Sequence, residues 1–136
     1  DCANTMLSPE LFERFVLPVN QQFARRYGPL ESHNCGPVTH LLEGIGKYGP
    51  FKYVEIGWGT ELAEARTHFG EAMLLPRFGV EFMQFYTPDE AYERATTMLR
   101  HCSGGPIVPH SNCIDPQRTS EETLRALFSA AEDAAA

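Results

Sequence analysis

A histidine and a cysteine two positions apart, in the run His33-Asn34-Cys35-Gly36, are the most specific chemical feature of this 136-residue sequence. In an extended chain, residues i and i+2 project to the same side, so the imidazole and the thiol can close on one metal ion. A second group, His110-Ser111-Asn112-Cys113, offers another imidazole and another thiol late in the chain. One imidazole and two thiolates, His33, Cys35 and Cys113, suit Zn2+, and three protein ligands leave the fourth position open, as catalytic zinc requires. The plainer alternative makes His33 a buried histidine and Cys35 a small apolar thiol, since isolated cysteines are usually buried. Glu55, Trp58 and His110 are candidates for lining a substrate pocket. Against that, Trp58 reads equally as a core anchor and His110 as an ordinary loop histidine.

These groups can meet only if the strands that carry them end on one side. Ser8-Pro9-Glu10 has the N-cap and first-turn proline of a helix, in which Leu11, Phe15, Val19, Phe23 and Tyr27 recur every four residues up to Gly28. That spacing predicts an amphipathic helix bent at Pro18. An extended segment from Pro29 to His33 follows, then a helix through Val38, Leu41, Leu42 and Ile45 that stops around Gly46 to Gly49. The unit repeats. Tyr53-Val54-Glu55-Ile56 is a strand, and Thr60 caps a helix carrying Leu62, Ala65 and Phe69.

Ala72-Met73-Leu74-Leu75 is a third strand, and after an irregular stretch Thr87-Pro88-Asp89-Glu90 supplies a capping box for a third helix of this series. Pro106-Ile107-Val108-Pro109 is a fourth, shorter strand, and Thr119 with Glu122 makes a second capping box. About four strand-helix units with short connections require parallel strands and right-handed crossovers, the pattern of an α/β doubly wound sheet or barrel. In either, the strand C-termini open on one face, which would bring residues 33–35 and 110–113 together. Neither a dinucleotide-binding glycine motif nor a P-loop occurs, which favours the barrel.

Composition narrows the classes further. The hydrophobic share of 43% and charged share of 21% are those of a soluble globular chain, read as a single domain over residues 1–136. No apolar run reaches membrane-span length. The net charge of -7, with Lys and Arg dispersed, excludes a nucleic-acid surface and favours small-molecule chemistry. Four cysteines at irregular spacing, without a secretory signal, read as thiols or metal ligands in a cytoplasmic protein. Opening on Asp1-Cys2 without Met, the sequence reads as a cut piece.

The motifs resemble one family along nearly the whole chain. Met6-Leu7-Ser8-Pro9-Glu10-Leu11-Phe12 through Pro18 is similar to a helix of uroporphyrinogen decarboxylase-like barrels, the one that follows their fourth strand. His33-Asn34-Cys35-Gly36 resembles their His-x-Cys-Gly strand end, and Thr87-Pro88-Asp89-Glu90 their Thr-Pro-Glu-Glu helix start. Pro109 to Pro116 sits where they carry Gly-Cys-Gly-Ile before a proline, while Arg77 to Phe82 departs from their Gly-Asn-x-Asp-Pro segment. The resemblance implies the C-terminal half of a (β/α)8 TIM barrel. Because true uroporphyrinogen decarboxylases lack the His-x-Cys-Gly pair, the likeness is to the methylcobamide:thiol methyltransferase branch.

In that branch the equivalents of His33, Cys35 and Cys113 hold zinc, so the resemblance implies a zinc-activated thiolate attacking the methyl group of a methylated corrinoid. It further implies a small thiol acceptor and a corrinoid carried on a partner protein. An isolated half, lacking the first four strands of the family's barrel, is not expected to turn over efficiently. Two alternatives stand beside this reading: a metal-free decarboxylase acting on a tetrapyrrole, and a non-catalytic half-barrel. The non-catalytic half-barrel makes a homodimer or larger assembly the expected state, because four parallel strands leave two open edges.

Overall fold

The computed structural model of the chain describes residues 2–102, 104–111 and 114–135. After a 3-10 turn, Cys2–Met6, a long helical run starts as its sequence predicts, with Leu11 N donating to Ser8 Oγ at 3.3 Å. The run comprises α1 (Pro9–Leu11), a π turn (Phe12–Val16) and α2 (Leu17–Tyr27). Pro18 has no N–H to give, and in a regular helix its ring would strike the carbonyl one turn back. The widened π turn lies just ahead of it, with Leu17 N–H reaching Phe12 O. The four-residue row of an amphipathic helix would be expected to face the core, yet Leu11, Phe15, Val19, Phe23 and Tyr27 are 44–65% exposed. Phe12, one position off the row, is fully buried instead.

Three strands form one parallel sheet in the order β1 (Leu30–His33), β2 (Phe51–Ile56), β3 (Met73–Pro76). The segment predicted as a fourth strand lies beside β3 with only two isolated parallel bridges, Leu74 to Ile107 and Arg77 to His110. The gap between the two bridges falls at Pro76 of β3, which has no N–H to offer Val108 O. Val108 N and His110 N reach Leu74 O at 2.9 Å and Pro76 O at 3.1 Å, and Leu74 N and Phe78 N donate in return to Pro106 O at 3.0 Å and His110 O at 2.9 Å.

Helices connect these strands. A 3-10 turn (Thr39–Leu41) leads into α3 (Leu42–Gly46), and α4 (Leu62–Phe69) follows β2. The stretch read as irregular contains a short helix, α5 (Val80–Gln84), before α6 (Pro88–Arg100) and α7 (Glu121–Ala135). Thr87 and Glu90 form the predicted reciprocal capping box on α6. For α7 the cap falls one residue later than predicted: Ser120 Oγ, not Thr119, accepts from Thr123 N at 3.0 Å. No helix among the described residues is long and apolar enough to cross a membrane.

Strand alternation divides the sheet into two unlike faces. Ser32, Val54 and Leu74 stand in register and are buried, together with Ile56, against Phe12, Val38, Leu41, Leu42, Ile45 and Ala65. The opposite face carries Glu31, Tyr53 and Met73 in one row and His33, Glu55 and Leu75 in the next, towards the strand C-termini. Of these, Glu31, His33 and Met73 are exposed. A second core joins α5, α6 and α7 through Phe82, Met83, Ala91, Ala95, Leu99, Leu127 and Ala130.

One arginine ties the two helical layers to the sheet. Arg66, at the end of α4, donates to Gly70 O at 2.7 Å, Ala72 O at 2.8 Å, Pro106 O at 2.9 Å and Cys102 O at 3.3 Å. It satisfies carbonyls in two connections, α4 to β3 and α6 to the 106–109 segment, with one rigid fork, which a lysine ammonium could not do. Replacing Arg66 with Met should lower unfolding free energy by about 2–3 kcal/mol, the scale of charge-assisted hydrogen bonds. The shift of the urea midpoint at unchanged slope measures it.

Candidate functional site

β1 and β2 end side by side, with His33 in register with Glu55. Beyond β1 the chain turns through Asn34 to Pro37, and three side-chain and backbone features hold that turn. Asn34, fully buried, donates through Nδ2 to Glu55 O and to Ser32 Oγ, both at 3.3 Å. Thr60, predicted to cap α4, does not; its Oγ1 accepts from Val38 N at 3.0 Å and donates to Gly36 O at 3.4 Å. Glu61 takes the cap position, without a side-chain bond. Gly57 presses its backbone on the turn so closely that a Cβ there would fall within 2.6 Å of the Cys35 carbonyl carbon. It would come closer still to Gly36 N and O.

This packing converges His33, Cys35, Glu55 and His110, joined by a residue not singled out from sequence as a site candidate, Arg77. His33 Nε2 lies 2.8 Å from Cys35 Sγ, and His33 Nδ1 is hydrogen-bonded to Glu55 Oε2. The other carboxylate oxygen, Glu55 Oε1, accepts from Arg77 Nη2, while Arg77 Nη1 donates to Cys35 O at 3.2 Å. Arg77 is 5% exposed and Glu55 13%, so a buried arginine meets a largely covered carboxylate, whereas His33 at 43% opens to solvent. Its only sequence signal was position: a charge immediately after the apolar run Met73–Pro76 and before Phe78.

His110 Nε2 lies 3.3 Å from Glu55 Oε1 but is not aligned as a hydrogen bond. Burial, the nearby Arg77 charge and His33 together lower the His110 pKa below the ordinary imidazole value. Cys102, by contrast, is completely buried and its thiol is pushed up to about 11 by desolvation, so it is an inert core thiol. Trp58, 51% exposed, lies in the wall of an adjoining open cleft of about 690 Å³ that also includes Arg77, Arg94 and Met98. His40 and His101 are exposed, and His68 is intermediate.

The donor set fits a metal in part. An imidazole nitrogen and a sulfur converge, with the second ring nitrogen already taken by a carboxylate, as in carboxylate–histidine–zinc units. Their 2.8 Å separation is shorter than the ~3.6 Å expected between N and S donors on one tetrahedral zinc, so the pair must open slightly to admit the ion. Among the described residues no three His, Cys, Asp or Glu side chains are arranged to hold a metal by themselves. Cys113, the third ligand expected from the sequence, lies outside the described residues.

The family profile described as uroporphyrinogen decarboxylase (URO-D) matches residues 1–134. No curated protein matches the sequence. Among solved structures, a methyltransferase from Methanosarcina mazei superposes with a TM-score of 0.68 at 22% identity, over 100% of this chain. The chain spans 41% of that structure's length, so the likeness is one of fold to part of a larger protein. With three parallel strands and their helices, it corresponds to part of a TIM-barrel-like fold.

Two measurements probe this geometry. Gly57→Ala should cost about 1–3 kcal/mol by overpacking and shift the amide resonances of residues 34–37, which an unaltered spectrum would contradict. His110 should titrate below the ordinary imidazole value of ~6.5 in an NMR pH series. Its contribution to stability is full above that value. It is lost as the pH falls through the unfolded and then the folded pKa, because the unfolded imidazole takes up a proton that the folded one resists.

Proposed function

The chain belongs to the uroporphyrinogen decarboxylase family, and we propose that within it this is the C-terminal half of a (β/α)8 barrel built for methyl transfer from a methylated corrinoid to a thiol. The observation that carries the reading is the convergence of His33 Nε2 and Cys35 Sγ at the strand C-termini, where barrel enzymes place their chemistry. The structural likeness to a methyltransferase supports the same choice. His33 and Cys35 would hold zinc, with Cys113 as the third ligand. When bound, zinc supplies the Lewis acidity that keeps an acceptor sulfur as thiolate near neutral pH.

The chain's own residues prepare that site. His33 is half exposed, so an acceptor thiol reaches the donors from solvent, while beneath it the buried Arg77 holds a largely covered Glu55. His110, held neutral by its surroundings, brings no positive charge against an incoming cation. Trp58 offers a flat apolar wall beside Arg77, suited to the corrinoid presented by a partner protein. The sheet face bearing Glu31, Tyr53 and Met73 would be covered by the other strands of a parent barrel, or by a second copy in a homodimer.

A tetrapyrrole decarboxylase is the second reading, favoured by the family description itself. It ranks lower because Arg77, the cation nearest the cluster, is already spent on Glu55 and Cys35 O and is not available to a substrate carboxylate. Elemental analysis of the purified chain separates the two. Methyl transfer predicts about one zinc per chain, absent after Cys35→Ala or Cys113→Ala. A chain without zinc, binding porphyrinogen equally well before and after those substitutions, would overturn it in favour of decarboxylation.

A further inference from the structure

Neutral histidine carries its proton on one ring nitrogen, and which one decides what the other can bind. Left to water, either nitrogen of His33 can carry it. In the folded chain the two ring nitrogens face different partners: Nδ1 meets Glu55 Oε2 and Nε2 meets Cys35 Sγ. A carboxylate only accepts, so a neutral His33 must place its proton on Nδ1 and leave the lone pair on Nε2. Glu55 can dictate this only if its carboxylate is itself immobile and ionised.

One contact pairs the carboxylate with a cation, and two more hold the backbone around it. Arg77, 5% exposed, holds Glu55 Oε1, so the carboxylate offers Oε2 alone to the imidazole. The same guanidinium reaches Cys35 O at 3.2 Å, fixing the turn that carries the thiol relative to the carboxylate. Asn34 Nδ2 holds the backbone carbonyl of Glu55 itself at 3.3 Å. We infer that Glu55, held by the buried Arg77, is a positioning residue that fixes His33 as its Nδ1–H tautomer and aims the Nε2 lone pair at the position shared with Cys35.

The tautomer follows from the protein's own contacts; its consequence for metal affinity rests on the zinc reading above. A hydrogen bond from the far nitrogen orients the ring and raises its basicity, and loss of such a partner weakens metal binding by about 10–100-fold. Removing Glu55 alone would leave Arg77 as an uncompensated buried cation. The informative variant therefore removes both charges, Glu55→Gln with Arg77→Met.

The test uses the metal-free chain with 15N-labelled histidine, at a pH about two units above the ordinary imidazole value. Long-range 1H–15N spectra should show His33 with a protonated Nδ1 and a bare Nε2 in the unaltered chain. In the double variant they should show a mixture or the opposite tautomer, with the melting temperature little changed. Co2+ titration, read by its visible absorption, should then show about 10–100-fold weaker binding to the variant. A His33 proton on Nε2 in the unaltered chain overturns the inference, even if the variant does not fold. So does a folded variant with unchanged tautomer and unchanged Co2+ affinity. An unaltered chain with the expected tautomer but no Co2+ binding upholds the positioning role and removes the metal reading instead.

Discussion

A carboxylate enclosed at the end of the central strand must be neutralised, and nearly every other feature of the site follows from how Glu55 is. Burying either charge of the Glu55–Arg77 pair without the other would cost several kcal/mol, so the two must be delivered to the same place by the fold. Glu55 arrives on β2 and Arg77 one residue after β3, and the register of the two strands puts them in reach. Arg77 then extends to Cys35 O and its backbone bridges to His110, so the same guanidinium-bearing residue joins three separate chain segments. The histidine–cysteine pair is thus the outermost layer of an ionic assembly seated in the sheet.

The parts of this arrangement legible in the sequence were those with local causes. Ser8 and the Thr87–Glu90 pair announce helix starts because capping is satisfied within four residues. The second and third strands were visible as short β-branched, aromatic or apolar runs and the first as an extended segment; His33 and Cys35 do meet, although the strand ends at His33 and Cys35 lies in the turn beyond it. What stayed hidden depended on distant partners. Thr60 looks like a cap, yet its hydroxyl is drawn to Gly36 O and Val38 N, which only tertiary structure brings near. Arg77 looks like a departure from a motif and is in fact the buried counter-charge. The segment 106–109 has the apolar content of a strand, but Pro76 opposite it has no N–H to give, so its pairing with β3 is split into two isolated bridges.

The row Leu11, Phe15, Val19, Phe23 and Tyr27 makes the same point from the other direction. Periodicity identified the helix but not which way its apolar row would turn, because Phe12 outcompetes the row for the core formed by Val38, Leu41, Leu42 and Ile45. Hydrophobic spacing specifies a helix; the volume available beneath it specifies the face. The sheet shows a similar asymmetry, with one side closed by helices and the other carrying Glu31, Tyr53, His33 and Glu55 in register beside Met73 and Leu75.

The contact between Gly57 and the Cys35–Gly36 peptide separates the shape of the site from its reactivity. Backbone touches backbone there, so part of the turn's path is set by atoms common to every residue type and by one missing side chain, and the rest by Asn34, Thr60 and Arg77 beneath it. Positions 33 and 35 can therefore exchange their side chains while the scaffold beneath keeps its course. Such a frame is a natural substrate for divergence: nitrogen, sulfur or oxygen donors can be swapped at the rim of an unchanged pocket, and one architecture can be retuned from one chemistry to another by substitutions at its surface.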